Sequence, residues 1–281
     1  MNLAPNGKPS NLTAEQYKLV RTSAFKNWFG DWENDPKNAS KVVDDNGEPL
    51  VVFHGSPNGI ITEFLLNENL VKSSGLKEYG VYFTTNKNIP KVYQRKQIDK
   101  TEEWKNKIKN LEDKISKVRN NIEYDKLTKE LYLMKYGRVY EAFLNLRKIV
   151  TFDGKGMSGI EAYQNLKVDA GYDIKTGREA MNFLTEGYVG WDNFGRKKVV
   201  EKVDGVKAEN IVELSESSEL YKYQSQDYIG TTYLVFPNKD GKFTNIKLAD
   251  GTNTTFDSSN PDIRYEKGGT TKEFIYTIGG L

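Results

Sequence analysis

Hydrophobic positions along this chain change period several times, and each change marks an element. Thr13 and Gln16 stand at capping-box spacing, which predicts a helix starting at Thr13 and continuing through Tyr17, Val20 and Arg21. Phe25, Trp28, Phe29 and Trp32 cluster next and predict a core-facing surface on a helix. A polar linker covers residues 34–41. Val42-Val43, the turn Asp44-Asp45-Asn46-Gly47 and the run Pro49 to Phe53 predict a hairpin whose second strand delivers His54. Two runs rich in β-branched and aromatic residues predict strands at Val51–Ser56 and Tyr79–Thr85. The stretch between them reads as a loop anchored by Phe64 and Leu65, and residues 87–98 as a helix with Pro90 in its first turn.

From Asp99 to Lys135 the period becomes heptad-like. Trp104, Ile108, Leu111, Ile115, Val118 and Ile122 step by fours and threes, and Leu127, Leu131 and Met134 continue on a second helix after Asn120-Asn121. This predicts an antiparallel helical hairpin at 99–138, with its charge runs on a solvated face and with partner docking as the alternative use. Strand character returns at Val139–Leu146, at Ile229–Asn238 and at Phe243–Leu248, and helical character at Ile160–Leu166 and Arg178–Leu184. Gly187 to Phe194 reads as a glycine-broken aromatic loop covering the core, with acceptor recognition as the other reading.

Composition narrows the function classes. The 281 residues carry 41 basic and 39 acidic side chains, a balance that argues against nucleic acid as the partner. No apolar run approaches membrane-spanning length, and the first residues have no apolar core of a secretory signal. The expectation is a soluble chain, acting in a bacterial cytoplasm or delivered into a target cell. With no cysteine and a single histidine, neither a disulfide nor a zinc site is expected.

That single histidine ends a strand. His54-Gly55-Ser56 closes the first strand, Gly80-Val81-Tyr82-Phe83 forms the second, and Tyr93 follows Tyr82 by eleven residues. One imidazole and two phenol rings on a strand-helix unit fit a pocket for a flat, polar, aromatic ligand. These residues resemble the NAD site of ADP-ribosyltransferases of the diphtheria-toxin and poly(ADP-ribose) polymerase type. The closer similarity is to the ADP-ribosyltransferase domains of polyvalent proteins from phages and mobile elements. It extends through the lead-in Phe25–Glu33 and Val42–Leu50 and the exit Thr255–Tyr265, and spans residues 10 to 266 with one insertion.

The resemblance implies an α+β fold in which a split β-sheet encloses an NAD cleft, with the helical hairpin inserted. It divides the chain into a helical lead-in (1–40), the transferase-like domain (41–266) and a tail (267–281). It implies mono-ADP-ribosyl transfer from NAD to a protein acceptor, without a metal. His54 would bond an adenosine-ribose hydroxyl, the Gly55 backbone would hold the nicotinamide amide, and Ser56 would assist. Tyr82 and Tyr93 would sandwich the nicotinamide ring, under a loop at 57–78 that closes over NAD. The family's catalytic glutamate precedes a Tyr-aliphatic-Val-aromatic strand; here Thr232 precedes Tyr233-Leu234-Val235-Phe236. A serine of some relatives is replaced by Pro90. Three readings stay open: the acceptor lends a carboxylate, Glu209, Glu213 or Asp227 serves instead, or the domain binds NAD or ADP-ribose without catalysis. Nucleic-acid ADP-ribosylation is a weaker fourth.

Overall fold

The computed structural model describes residues 2–56, 64, 79–94, 102–212 and 228–249. The exit string at 255–265, the tail, Glu213 and Asp227 lie outside the described residues, as does the loop at 57–78 apart from Phe64. In chain order come helices α1 (Ala14–Leu19) and α2 (Ser23–Phe29), strands β1 (Val52–Ser56) and β2 (Val81–Thr84), and α3 (Asn88–Gln94). Helices α4 (Glu102–Lys117) and α5 (Asn121–Tyr136) follow, then β3 (Arg138–Leu144), β4 (Ile149–Asp153), α6 (Gly159–Gln164) and α7 (Gly177–Glu186). Strands β5 (Tyr188–Trp191), β6 (Lys197–Val200), β7 (Gly205–Val212), β8 (Ile229–Val235) and β9 (Ile246–Leu248) complete the set. The architecture is α+β, with a seven-stranded sheet ordered β4-β7-β8-β2-β1-β3-β9 and a separate β5-β6 hairpin.

The N-terminal elements follow from local chemistry. Thr13 accepts from Gln16 N while the Gln16 side chain accepts from Thr13 N, closing the capping box. Such a cap contributes about 1 kcal/mol. Helix α2 then buries Phe25 and Phe29 against Phe143 of the sheet, and Trp32 donates its indole N–H to Val20 O at 3.1 Å. The hairpin at 43–49 pairs Val43 with Pro49 around Gly47 at φ 80°, with Asp44 N donating to Glu48 O and Leu50 N to Val42 O.

Strand alternation gives the sheet two differently packed faces. Leu234, Val206 and Ala208 face α6 and α7, where Ala162, Tyr163, Met181 and Leu184 complete a core. Val52, Phe83, Ala142, Tyr233 and Val235 face the other way, onto Phe64, Phe243 and Leu146. The ladders are mostly antiparallel; β4 and β7 run parallel. One junction is thin: β1 joins β3 through five registered pairs but meets β2 only at Phe53–Thr84.

Two readings of the pattern are corrected. Ile122, placed on the helical seam, is 82% exposed, whereas Ile108 and Leu111 are buried. The α4 repeat ends with that helix at Lys117, so Ile122 belongs to α5 and points away. Helix α5 folds back along α4 and sets Lys135 against Glu112 at 2.6 Å. Gly187 to Phe194 is not a loop, because Tyr188–Trp191 pairs antiparallel with Lys197–Val200. Tyr188 stacks on Phe183 at 4.2 Å, but Val189, Trp191 and Phe194 are exposed, so only one face of the hairpin covers the core.

Candidate functional site at the seam between β1 and β2

The ladder between β1 and β2 stops at Phe53–Thr84. Continued by two residues, it would set Gly55 opposite Tyr82. The His54 side chain takes up that position instead: its Nδ1 lies 2.8 Å from the Tyr82 carbonyl oxygen. A carbonyl can only accept, so Nδ1 carries the proton and donates. In a neutral ring Nε2 is then left as an acceptor. Burial pushes the imidazole pKa below its ordinary value, and the hydrogen bond to Tyr82 opposes this less strongly. The ring is therefore neutral at pH 7, with a fixed tautomer.

An aromatic wall holds the ring in place. Phe64 meets it edge-on at 5.3 Å, Phe83 lies at 5.4 Å, and Phe64 also packs on Tyr140, the residue directly opposite His54 in the ladder. Gly55 is needed for a different reason. A Cβ there would come 2.0 Å from the Pro90 carbonyl oxygen, so the missing side chain lets α3 close onto β1. Ser56 is buried at the end of the strand.

The Tyr82 ring leaves β2 on the opposite side. It packs edge-on against Tyr163 of α6 at 5.7 Å, and Tyr163 packs on Phe152 in turn at 5.4 Å. The expected convergence of the His54 and Tyr82 rings on one spot is thus not formed by the described residues, because consecutive side chains of β2 diverge. His54 reaches Phe83 and the Tyr82 backbone, not the Tyr82 ring. Tyr93 sits in α3, and its side chain lies outside the described residues.

Thr232 lies opposite Thr84 and next to Ala208, on the Tyr82 side of the sheet. It is 1% exposed, and its Oγ1 has no hydrogen-bond partner among the described residues. Glu209, the alternative to Thr232, follows Ala208 on β7 and so lies on the opposite face. It is ion-paired to Lys207 at 2.7 Å, and the Tyr233 phenol is pushed up by burial first and by the Glu209 charge second. Both partners lie on the side to which Thr232 turns its back, since Lys207 pairs with Tyr233 in the ladder.

Phe83, Tyr140 and Tyr163 were not legible as site residues. Tyr140 carried the only local signal, the period-2 alternation of β3, which places it on one face with Ala142 and Leu144. Among the described residues no group of three or more His, Cys, Asp or Glu side chains is gathered as a metal would require. A polar hollow of about 460 Å³ opens elsewhere, lined by Ser23, Lys26, Asn27, Asp31 and Arg147, and shares no residue with the His54 wall. No described helix is long and apolar enough to cross a membrane. No protein-family model, curated protein or solved structure matches the chain.

Proposed function

We propose that the seam between β1 and β2 binds NAD and that the chain transfers a single ADP-ribosyl group from it to a protein acceptor. The observation that carries this reading is the neutral, tautomer-fixed His54, whose Nε2 is left to accept from a ribose hydroxyl. An extended dinucleotide has two ends, so His54 and Tyr82 need not touch. His54 serves the adenosine ribose on one side of β2 and Tyr82 the nicotinamide on the other; Tyr93 is assigned to the nicotinamide by the resemblance alone. The thin β1–β2 junction supports a sheet that splits there, as the transferase-like reading requires.

In the reaction, the bond between nicotinamide nitrogen and ribose C1′ breaks, and its electron pair neutralises the departing nicotinamide. Positive charge builds on the ribose and an acceptor side chain forms the new bond to C1′; a carboxylate does so with no proton to lose, whereas a hydroxyl or amine releases one to solvent. A neutral imidazole suits this course, because an imidazolium would turn Nε2 into a donor and add repulsion. Thr232 supplies a hydroxyl but no carboxylate. It suits one transfer with the acceptor's own carboxylate, and not polymer growth, which needs a base for the ribose hydroxyl.

Labelled NAD incubated with the protein and cell lysate is expected to label protein bands, and to lose that labelling in His54→Ala and Tyr82→Ala. Absence of both label and nicotinamide release from the wild-type protein would defeat the enzymatic reading. The second reading is a binding module for NAD or ADP-ribose without turnover, favoured by the missing carboxylate at Thr232. Calorimetric NAD binding without nicotinamide release would select it.

A further inference from the structure

In the NAD reading His54 meets a ribose and Tyr82 an aromatic base, yet a dinucleotide also carries two phosphates. Their charge calls for a cation on the face where His54 lies. In the β1–β3 ladder His54 stands opposite Tyr140 and Ser56 opposite Arg138. Alternation puts all four side chains on one face, with Arg138 one step outward from His54. Helix α5 ends at Tyr136, Gly137 turns the chain at φ 71°, and Arg138 opens β3 at the rim of the sheet.

The Arg138 side chain is held there without being neutralised. Its guanidinium carbon lies 5.0 Å from the centroid of the Tyr140 ring, which is itself 1% exposed. Contact with a buried ring limits the rotamers of the arginine, and the residue remains exposed. Arg138 is exposed, and among the described residues no carboxylate pairs with it. Lys87 offers a useful contrast. It is also exposed and lies 5.1 Å over Phe53, but Phe53 alternates to the opposite face from His54.

We infer that Arg138 is the phosphate-binding residue of this site, holding the diphosphate of a dinucleotide whose ribose meets His54. This rests on the NAD reading above. It adds a ligand class: the site discriminates for diphosphate-bearing nucleotides, ADP-ribose as well as NAD, over nicotinamide riboside. The planar fork suits bidentate bonding to phosphate oxygens, which a lysine reproduces only as a point charge.

The test is calorimetry with NAD, ADP-ribose and nicotinamide riboside on the wild-type chain and on Arg138→Gln and Arg138→Lys. Loss of a charge-assisted hydrogen bond predicts NAD and ADP-ribose binding about tenfold to a hundredfold weaker in Arg138→Gln, with Arg138→Lys in between. Affinity for nicotinamide riboside and the melting temperature are expected to be unchanged, since the side chain is exposed. If the wild-type protein binds NAD and Arg138→Gln binds it equally well, the phosphate assignment is wrong while the NAD reading stands. If the wild-type protein binds neither NAD nor ADP-ribose, both fall together.

Discussion

At His54 two influences on the proton oppose each other, and burial outweighs the Tyr82 carbonyl. An unfolded imidazole titrates near pH 6.5, so below that pH the unfolded chain binds a proton that the folded chain resists. Stability is therefore full above about pH 6.5 and declines as pH falls toward the lower folded value. His54 is the only histidine, so its ring protons give one pair of NMR signals. Their titration midpoint in the folded protein is expected below 6.5, and a midpoint at or above it would contradict the assignment. Thr232 makes a different residue-scale prediction. Its Oγ1 is buried with no partner among the described residues, so Thr232→Val is expected to hold stability or raise it by about 1 kcal/mol. Urea unfolding measures this, and a clear loss would mean that the hydroxyl has a partner. If Thr232 serves the reaction, nicotinamide release falls in the same variant.

At the scale of elements, the seam depends on how closely α3 approaches β1. Gly55→Ala places a methyl group against the Pro90 carbonyl, and backbone cannot step aside as a flexible side chain can. A loss of about 1–3 kcal/mol is expected by urea unfolding; unchanged stability would show that α3 is free to move. Elements built on local chemistry were legible in the sequence: the Thr13 cap, the aromatic face of α2, and the two helices at 159–164 and 177–186. Elements that depend on a partner strand were not. The glycines of 187–195 hid the β5-β6 hairpin, since its ladder is a cross-strand property that no single run displays. Ile122 continued a numerical repeat across a helix break that the repeat itself cannot mark. In the candidate site, His54 could be picked out as a lone imidazole ending a strand. Its tie to the Tyr82 carbonyl could not, because side-chain identity says nothing of a backbone acceptor 28 residues away. Nor could Glu209 be assigned to a face, given the shift in register between Ala208 and Ile211.

At the scale of the whole molecule, a buried charge ties the N-terminal segment to the turn before β1. Glu48 is fully buried, accepts from Ser10 Oγ at 2.5 Å and pairs with Arg21 at 2.9 Å. Arg21 also pairs with Glu33 at 3.2 Å and lies over the Tyr17 and Trp32 rings. One arginine thus joins the N-terminal helices to the turn that leads into β1. Removing it leaves a buried carboxylate without its cation, so Arg21→Met is expected to cost about 3 kcal/mol. Glu48→Gln, which keeps hydrogen bonding without charge, is expected to cost less; equal unfolding midpoints for the wild type and Arg21→Met would remove the latch from the account. The two corners meet in β1, whose one end follows the latch and whose other end carries His54.

The central claim is that this imidazole meets a dinucleotide. The direct measurement is NMR of the His54 ring during titration with NAD at pH 7. Nδ1 is expected to stay protonated and the Nε2 signal to move saturably, as a lone pair accepting a hydroxyl hydrogen bond must. A ring whose signals stay fixed at millimolar NAD would contradict it.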